Sequence, residues 1–401
     1  MDLKSGYPFW PVYNGLPVNF PPLQQDLTCD VAVVGAGITG ALVAHALADA
    51  GLNVIVVDKR DAGWGSTSAS TALLQYEIDT ELADLAHRFG EKRAVMAYRA
   101  CEQAIHTLEE IAADSGAGFR RMSSLYFASR WYHAGRLRAE GLLRKRHGFK
   151  LEVLERDELH ERCGIRAPVG LLTATAAQVD PYRLTYALLR KLRRKGVQIF
   201  DRSGMLGWTS GKREVELQME RDVTLCCKHL VLAAGYEAQQ YLPVRVARNH
   251  SSYALVTEPI REHLGPLKNM LAWESARPYL YLRTTNDGRV LVGGEDDRID
   301  LPAKRDASVP RKSARLMRKL EKLLPHIPFE KGFAWAGTFA ETADGLPFFG
   351  PHPKLDPRIN FAMAYGGNGI TYSQLGAGLL RALVERRKHP LAKLFSFERM
   401  D

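Results

Sequence analysis

The feature that most constrains this chain is a hexapeptide, Gly35-Ala-Gly-Ile-Thr-Gly40, set between two differently patterned runs. Before it, Asp30-Val-Ala-Val-Val34 is a short apolar stretch of the kind buried in a parallel sheet. After it, Ile38 to Ala50 switches to helical spacing, with Leu42, Val43, Ala46 and Leu47 on one face and Gly51 as the stop. Asn53-Val-Ile-Val-Val57 is a second buried strand, and it ends at Asp58, 18 residues beyond Gly40. Strand, glycine turn, helix, strand and terminal acid together form the context a dinucleotide fingerprint needs. Gly35 permits the tight turn, Gly37 lets the backbone approach a pyrophosphate, and Gly40 lets helix and strand pack closely. Ala36, Ile38 and Thr39 complete the loop, whose helix N-terminus offers unpaired N–H groups to phosphate. Asp58 is expected to accept hydrogen bonds from the adenosine ribose.

The low-charge run from Val31 to Ala48 is long enough to raise the question of a membrane span. Its three glycines, Thr39, His45 and its change of period decide for strand, turn and helix, so no transmembrane segment is expected. The chain has 401 residues, enough for two or three domains, with 46% hydrophobic and 25% charged residues. That composition excludes a disordered, collagen-like or disulfide-scaffold chain. The net charge of +10 can steer anions, including a phosphate-bearing cofactor. The basic residues are scattered, and the clusters Arg190 to Lys195 and Arg386 to Lys388 read as solvated helix faces or ends, so nucleic acid is not an expected partner. Five cysteines without a C-x-x-C pair give no metal site and fit a reducing compartment. Met1 to Phe9 lacks the order of a secretory signal, and a cytoplasmic location is expected. Nothing in the sequence sets the oligomeric state.

Residues 1–28, rich in Pro and aromatics, read as an ordered arm on the surface. Residues 79–115 form a long helical pattern broken at Gly90, and Tyr182 to Lys195 is another amphipathic helix. Strands are expected at Val197 to Phe200 and His229 to Gly235. Tyr279-Leu-Tyr-Leu-Arg283, Asn286-Asp-Gly288 and Arg289-Val-Leu-Val292 read as a hairpin. Tyr365-Gly-Gly-Asn-Gly-Ile370 opens a helix running from Tyr372 to about Arg387. A simple NAD dehydrogenase would continue into regular parallel strands. This chain instead runs into the small-residue loop Gly63-Trp-Gly-Ser-Thr-Ser-Ala-Ser70, able to wrap a second phosphate region.

At these residues the chain resembles the FAD-dependent amino-acid and amine oxidoreductases, the superfamily of D-amino acid oxidase, glycine oxidase and monomeric sarcosine oxidase. The marks are the fingerprint with Asp58, Ser66-Thr-Ser-Ala-Ser70, Val179-Asp-Pro-Tyr-Arg-Leu184, Leu232-Ala-Ala-Gly-Tyr236, the run from Gly337 to Pro347, and Tyr365 to Ser373. The resemblance implies an α/β chain: a doubly wound Rossmann-type FAD-binding domain with a second, mixed-sheet α+β substrate domain. It places the discontinuous FAD domain at 29–80, 150–245 and 333–401, and the substrate domain at 81–149 and 246–332. It also implies that Gly35, Gly37, Gly40, Asp58 and Lys59 hold the ADP half, that Ser66, Thr67 and Ser68 lie by the pyrophosphate and ribityl chain, and that Met205 lies near adenine. Ala234 and Gly235 would close the second FAD contact. Gly337, Gly366, Gly367, Asn368, Gly369, Ile370 and Thr371 would surround the flavin.

The departures from that pattern bear on the substrate. The resemblance implies carboxylate-gripping arginines at two positions that here are Phe339 and Gly367, so the planar fork for a carboxylate is missing from both. A larger or differently anchored amine gains over a small free amino acid: a polyamine derivative, an N-alkyl amino acid or an opine-like compound. With no cysteine after Cys227, FAD is expected to be non-covalent. The lysine that activates oxygen in sarcosine oxidase falls close to Leu291, which leaves oxygen or another acceptor open. Tyr279, Tyr253, Tyr281, Phe339 and Glu341 are the candidates to face a substrate, Glu341 as the partner of a cationic amine. Arg283 reads as a solvated hairpin charge and His45 as a packed core histidine. The expected activity is removal of hydride from a carbon next to an amine nitrogen, giving an imine, with FAD as acceptor. A flavin-binding protein without turnover, serving as a binding or assembly component, is the alternative.

Overall fold

The fingerprint strand Leu27–Val34 is the centre of the first of two sheets, in a computed structural model that describes residues 1–260, 264–298 and 300–400. It pairs in parallel with Val54–Val57 on one side and Val223–Leu232 on the other. The order across this sheet is Phe348–Pro351, Ile359–Met363, Val223–Leu232, Leu27–Val34, Val54–Val57, Gln198–Phe200. The hairpin of Met205–Ser210 and Val215–Met219 extends it antiparallel along Val223–Leu232. The alternation of side chains explains the unbroken apolar run in the sequence. Val31 and Val33 enter one core cluster while Ala32 and Val34 enter the cluster on the other face. Burying a Val or Ile in this way is worth about 1.5–3 kcal/mol.

Helices Ile38–Ala48, Pro181–Arg194 and Gly369–Val384 cover one face of the sheet. Asp180 caps the second of these by accepting from the N–H groups of Tyr182 (3.0 Å) and Arg183 (2.9 Å), with Pro181 in the first turn. The hydroxyls of Thr39 and Ser373 lie 2.8 Å apart and tie the fingerprint helix to the C-terminal one.

Among the described residues the second sheet has nine strands. Its path runs Lys331–Thr342, Ala247–Thr257, Val290–Asp297, Tyr281–Thr284, Met270–Glu274, Arg120–Phe127, Val169–Gln178, Leu73–Gln75, with Leu151–Glu155 paired to Val169–Gln178. The expected hairpin is there, pairing Tyr281 with Gly293 and Arg283 with Leu291. Sheet membership departs from the sequence boundaries. Leu73–Gln75, Leu151–Glu155, Val169–Gln178 and all but the first two residues of Lys331–Thr342 fall within the expected cofactor part, yet all pair in the second sheet. Conversely, helix Glu91–Ala112, assigned to the substrate part, buries Tyr98, Cys101, Ile105 and Leu108 in the same cluster as helix Gly369–Val384. The arm is also more deeply set than expected: Phe9, Trp10, Phe20 and Leu23 are buried, and Lys4 bridges to Gly337. No helix among the described residues is long and apolar enough to cross a membrane.

Candidate active site

The C-terminal ends of the adjacent parallel strands Leu27–Val34 and Val223–Leu232 open into one cavity, as expected where strand order diverges in an open sheet. At its first end the glycines act through specific contacts. Gly35 has φ +119°, and a Cβ there would sit 2.2 Å from the carbonyl oxygen of Ala233. A Cβ on Gly40 would sit 1.7 Å from the carbonyl oxygen of Gly35, and one on Gly37 would meet Thr67 Oγ1 at 3.0 Å. Thr67 Oγ1 accepts from the N–H of Ile38 at 3.0 Å, which brings the Ser66–Ala69 turn against the fingerprint helix. Ser66 Oγ, in the cavity wall, is buried and without a hydrogen-bond partner among the described residues.

Asp58 lines the cavity, accepting from Ala36 N–H at 2.7 Å and Arg60 N–H at 2.9 Å, and burial raises its pKa. Lys59 is engaged with Glu237 at 2.8 Å, as is Arg60 at 2.8 Å. Burial opposes ionisation of Glu237, but the hydrogen bonds from Arg60 and Lys59 hold its pKa down at about 2. Met205, Ala234, Gly235 and Gly337 all line the cavity, and Tyr365 fixes Gly235 by donating to its carbonyl at 2.8 Å.

At the other end the Gly-rich loop turns into helix Gly369–Val384. Gly369 and Ile370 line the wall, and Gly366 takes φ +97°. Asn368 donates to the carbonyls of Gln75 (2.9 Å) and Glu77 (2.8 Å), anchoring the segment that leads to Asp79. Asp79 in turn accepts from Gly367 N–H at 2.7 Å and from the Tyr279 hydroxyl at 3.3 Å. Tyr279 and Tyr281 stand 5.6 Å apart between ring centroids, and Trp273 lies 6.4 Å from Tyr279. Gly293 makes room for Tyr281, since a Cβ there would be 2.2 Å from the ring. Phe339 and Tyr236 complete an aromatic wall, with ring centroids 6.5 Å apart.

Several expected site residues are placed differently. Ser68 donates to the carbonyl of Gly65 at 2.8 Å and is absent from the cavity wall, as are Ala36, Gly40, Asn368 and Thr371. These residues shape the turns behind the wall. Tyr253 reaches the cavity with its ring, but its hydroxyl is spent on Asp297 at 2.8 Å. Glu341 lies outside the wall, two residues past Phe339, with its side chain 45% exposed and His250 at 3.6 Å. Burial and the charges of Asp79 and Asp296 push its pKa up to about 7. Arg283, read as a solvated charge, is 1% exposed. It donates to the carbonyls of Thr71 (2.7 Å), Val179 (3.0 Å) and Thr284 (3.0 Å), stitching the hairpin to the neighbouring loops. His45 sits beside Asp49 at 3.1 Å in the helix it was assigned to.

The sequence reading missed Asp79, Tyr236, Glu237, Trp273 and Asp296, all of which line the cavity, and Arg277 beside it. Only the Gly293-Gly294 pair hinted at them, because adjacent glycines in a strand mark a close approach.

The residues present fit FAD. One cavity joins a glycine turn built for a pyrophosphate, an orphaned buried hydroxyl on Ser66, and a helix N-terminus at Gly369 beside an aromatic wall. A family model described as DAO, FAD dependent oxidoreductase, matches residues 30–383. Among curated proteins, the chain is similar to YhfW of Bacillus subtilis (strain 168), which bears the name of a Rieske 2Fe-2S iron-sulfur protein. The two are 24% identical over 403 residues, 97% of this chain and 74% of that protein. It is 25% identical over 381 residues to gamma-glutamylputrescine oxidoreductase of Escherichia coli (strain K12), covering 91% of this chain and 85% of that one. Glycine oxidase from Geobacillus kaustophilus, a solved structure, superposes with a TM-score of 0.76 at 20% identity, over 92% of this chain and 98% of that one. At that identity the likeness is one of fold.

Proposed function

Because the chain belongs to the family of FAD-dependent oxidoreductases, we propose that it oxidises the CH–NH bond of an amine or amino-acid-type substrate held between Gly369–Ile370 and the Tyr279/Tyr281 hairpin. The observation that carries this reading is the single cavity linking the fingerprint turn to the aromatic wall. FAD, when bound there, supplies the hydride acceptor for a carbon next to nitrogen. Gly35, Gly37 and Gly235 would lie along its diphosphate, with Ser66 Oγ donating to it, and Gly369 and Ile370 would meet the ring end. The helix N-terminus at Gly369 favours negative charge, which suits a carbonyl-rich ring that gains electron density on reduction.

The protein's own contribution is placement. Tyr279, Tyr281, Trp273, Tyr236 and Phe339 form a bulky wall that would exclude water and hold a substrate carbon in place toward the bound cofactor. The names of two relatives, gamma-glutamylputrescine oxidoreductase and glycine oxidase, support an amine as substrate class. Phe339 and Gly367, where a carboxylate fork was expected, favour an amine not gripped by its carboxylate.

An anaerobic stopped-flow screen across N-methyl amino acids, D-amino acids and polyamine conjugates tests the reading. At least one of these should bleach the flavin band. A flavin that none of them reduces, although dithionite does, refutes amine oxidation.

A further inference from the structure

The substrate end of the cavity is lined by two carboxylates and, among the described residues, by no cation. Among the described residues of the wall, the cations are Lys59 and Arg60, both at the fingerprint end and both already paired with Glu237. The opposite end holds Asp79 and Asp296. The run Glu295-Asp-Asp297 makes the contrast plain. Glu295 is paired with Lys319 at 2.6 Å and Asp297 with Lys312 at 2.7 Å, both cations on helix Pro302–Leu323. Asp296, between them, lines the cavity instead, and its Oδ1 is buried with no hydrogen-bond partner among the described residues. The guanidinium of Arg277 donates to the backbone carbonyl of Asp79 at 2.7 Å and lies 4.8 Å from the Tyr279 ring centroid. Gly367 allows this arrangement, because a Cβ there would be 2.8 Å from both oxygens of Asp79.

We propose that this end of the cavity selects a substrate with a second cationic group. In that arrangement a distal ammonium sits among Asp79, Asp296 and the rings of Tyr279, Tyr281 and Trp273, and Glu341 draws it in at the mouth. Aromatic faces and carboxylates attract the same ligand, an organic cation. A metal ion is a poor occupant, since no group of three or more His, Cys, Asp or Glu residues that could hold one exists among the described residues. The unfilled demand for a cation is visible in the acids themselves. Burial and the charge of Asp79 push Asp296 up to about 6, against a hydrogen bond from Ser252 and the attraction of Lys312 and Arg277. Glu341, facing Asp79, Asp296, Arg277 and His250, is likewise raised. The inference deepens the proposed function by naming the substrate class, a diamine or polyamine-type compound.

The test titrates the holoprotein anaerobically with three probes sharing a primary amine and differing at the far end: butylamine, 1,4-diaminobutane and 4-aminobutanoate. Perturbation of the flavin absorption, with tryptophan fluorescence as a second readout, gives the dissociation constants, and bleaching gives the reduction rate. The diamine should bind about tenfold more tightly than butylamine, and the amino acid more weakly than either. That preference should fall about tenfold in Asp296→Asn and by less in Glu341→Gln. It should grow as pH rises from about 5.5 to about 8, because both acids ionise over that interval. Equal binding of the three probes, tighter binding of 4-aminobutanoate, or a preference unchanged in both variants overturns the inference. Selective diamine binding with a flavin that no amine bleaches would refute amine oxidation and leave this inference standing. Bleaching by all three probes without preference would do the opposite.

Discussion

Replacing Gly367 by alanine isolates the contact between the Gly-rich loop and Asp79. The new Cβ would lie 2.8 Å from both carboxylate oxygens and 3.1 Å from Cγ, where ordinary contact begins at 3.4 Å. Asp79 must therefore retreat by about 0.6 Å (3.4 − 2.8), which stretches its 2.7 Å bond from Gly367 N–H. Loss of that half-exposed hydrogen bond costs about 1 kcal/mol, and residual crowding about 1 kcal/mol more. Alanine returns about 0.4–1 kcal/mol by restricting the unfolded chain, since Gly367 does not need a positive φ. The net loss is about 1–1.5 kcal/mol. With an unfolding entropy of about 0.8 kcal/mol per kelvin for 401 residues, the melting temperature should drop by about 1–2 °C in scanning calorimetry. The decisive arm is the same substitution in an Asp79→Ala background, where the space is free and the penalty should vanish. A penalty of equal size in both backgrounds would refute the claim that Gly367 exists to admit Asp79.

Other perturbations probe other parts of the molecule. Glu140 accepts from the N–H groups of Leu82 (2.8 Å) and Ala83 (3.1 Å), capping helix Leu82–Phe89, and from buried Arg144 at 2.7 Å. Glu140→Ala strands that guanidinium, so about 3–5 kcal/mol should be lost, a fall of about 4–6 °C by circular dichroism; a change below about 1 °C contradicts this. Gly40→Ala forces a Cβ to 1.7 Å from the Gly35 carbonyl oxygen and should weaken FAD binding to the apoprotein by about tenfold or more, read by flavin fluorescence; unchanged affinity contradicts it. Glu237 has its pKa lowered to about 2 from an ordinary 4.5, so its stabilising contribution, about 3 kcal/mol, is present above pH 4.5 and lost as pH falls through 2. Glu237→Gln should therefore destabilise the protein at neutral pH and flatten its acid unfolding curve; parallel curves for variant and parent contradict the assignment.

The parts legible in the sequence are those where the backbone admits few residue types. The fingerprint turn, the Asn-Asp-Gly hairpin turn and the second Gly-rich loop each announce themselves by local spacing, and each appears where spacing put it. The substrate end was not legible in this way. Asp79, Arg277 and Asp296 are isolated charges in a chain rich in them, brought together by the docking of the 75–79 segment against the hairpin and the Gly-rich loop. Arg283 misled for the same reason: alternation placed it on a hairpin, but only the packing of Thr71 and Val179 against that hairpin buries it. The division between sheets escaped because strands far apart in sequence pair directly, as Lys331–Thr342 does with Ala247–Thr257.

The central claim is that the glycine turn after Leu27–Val34 holds the diphosphate of FAD. The most direct measurement is the visible spectrum of the purified protein and of the Gly37→Val variant, each before and after heat release of the flavin. The parent should be yellow, release an equimolar amount of FAD into solution, and leave a colourless polypeptide, while the variant should retain far less. A parent that is colourless and takes up no added FAD, or a variant that retains as much as the parent, contradicts the account.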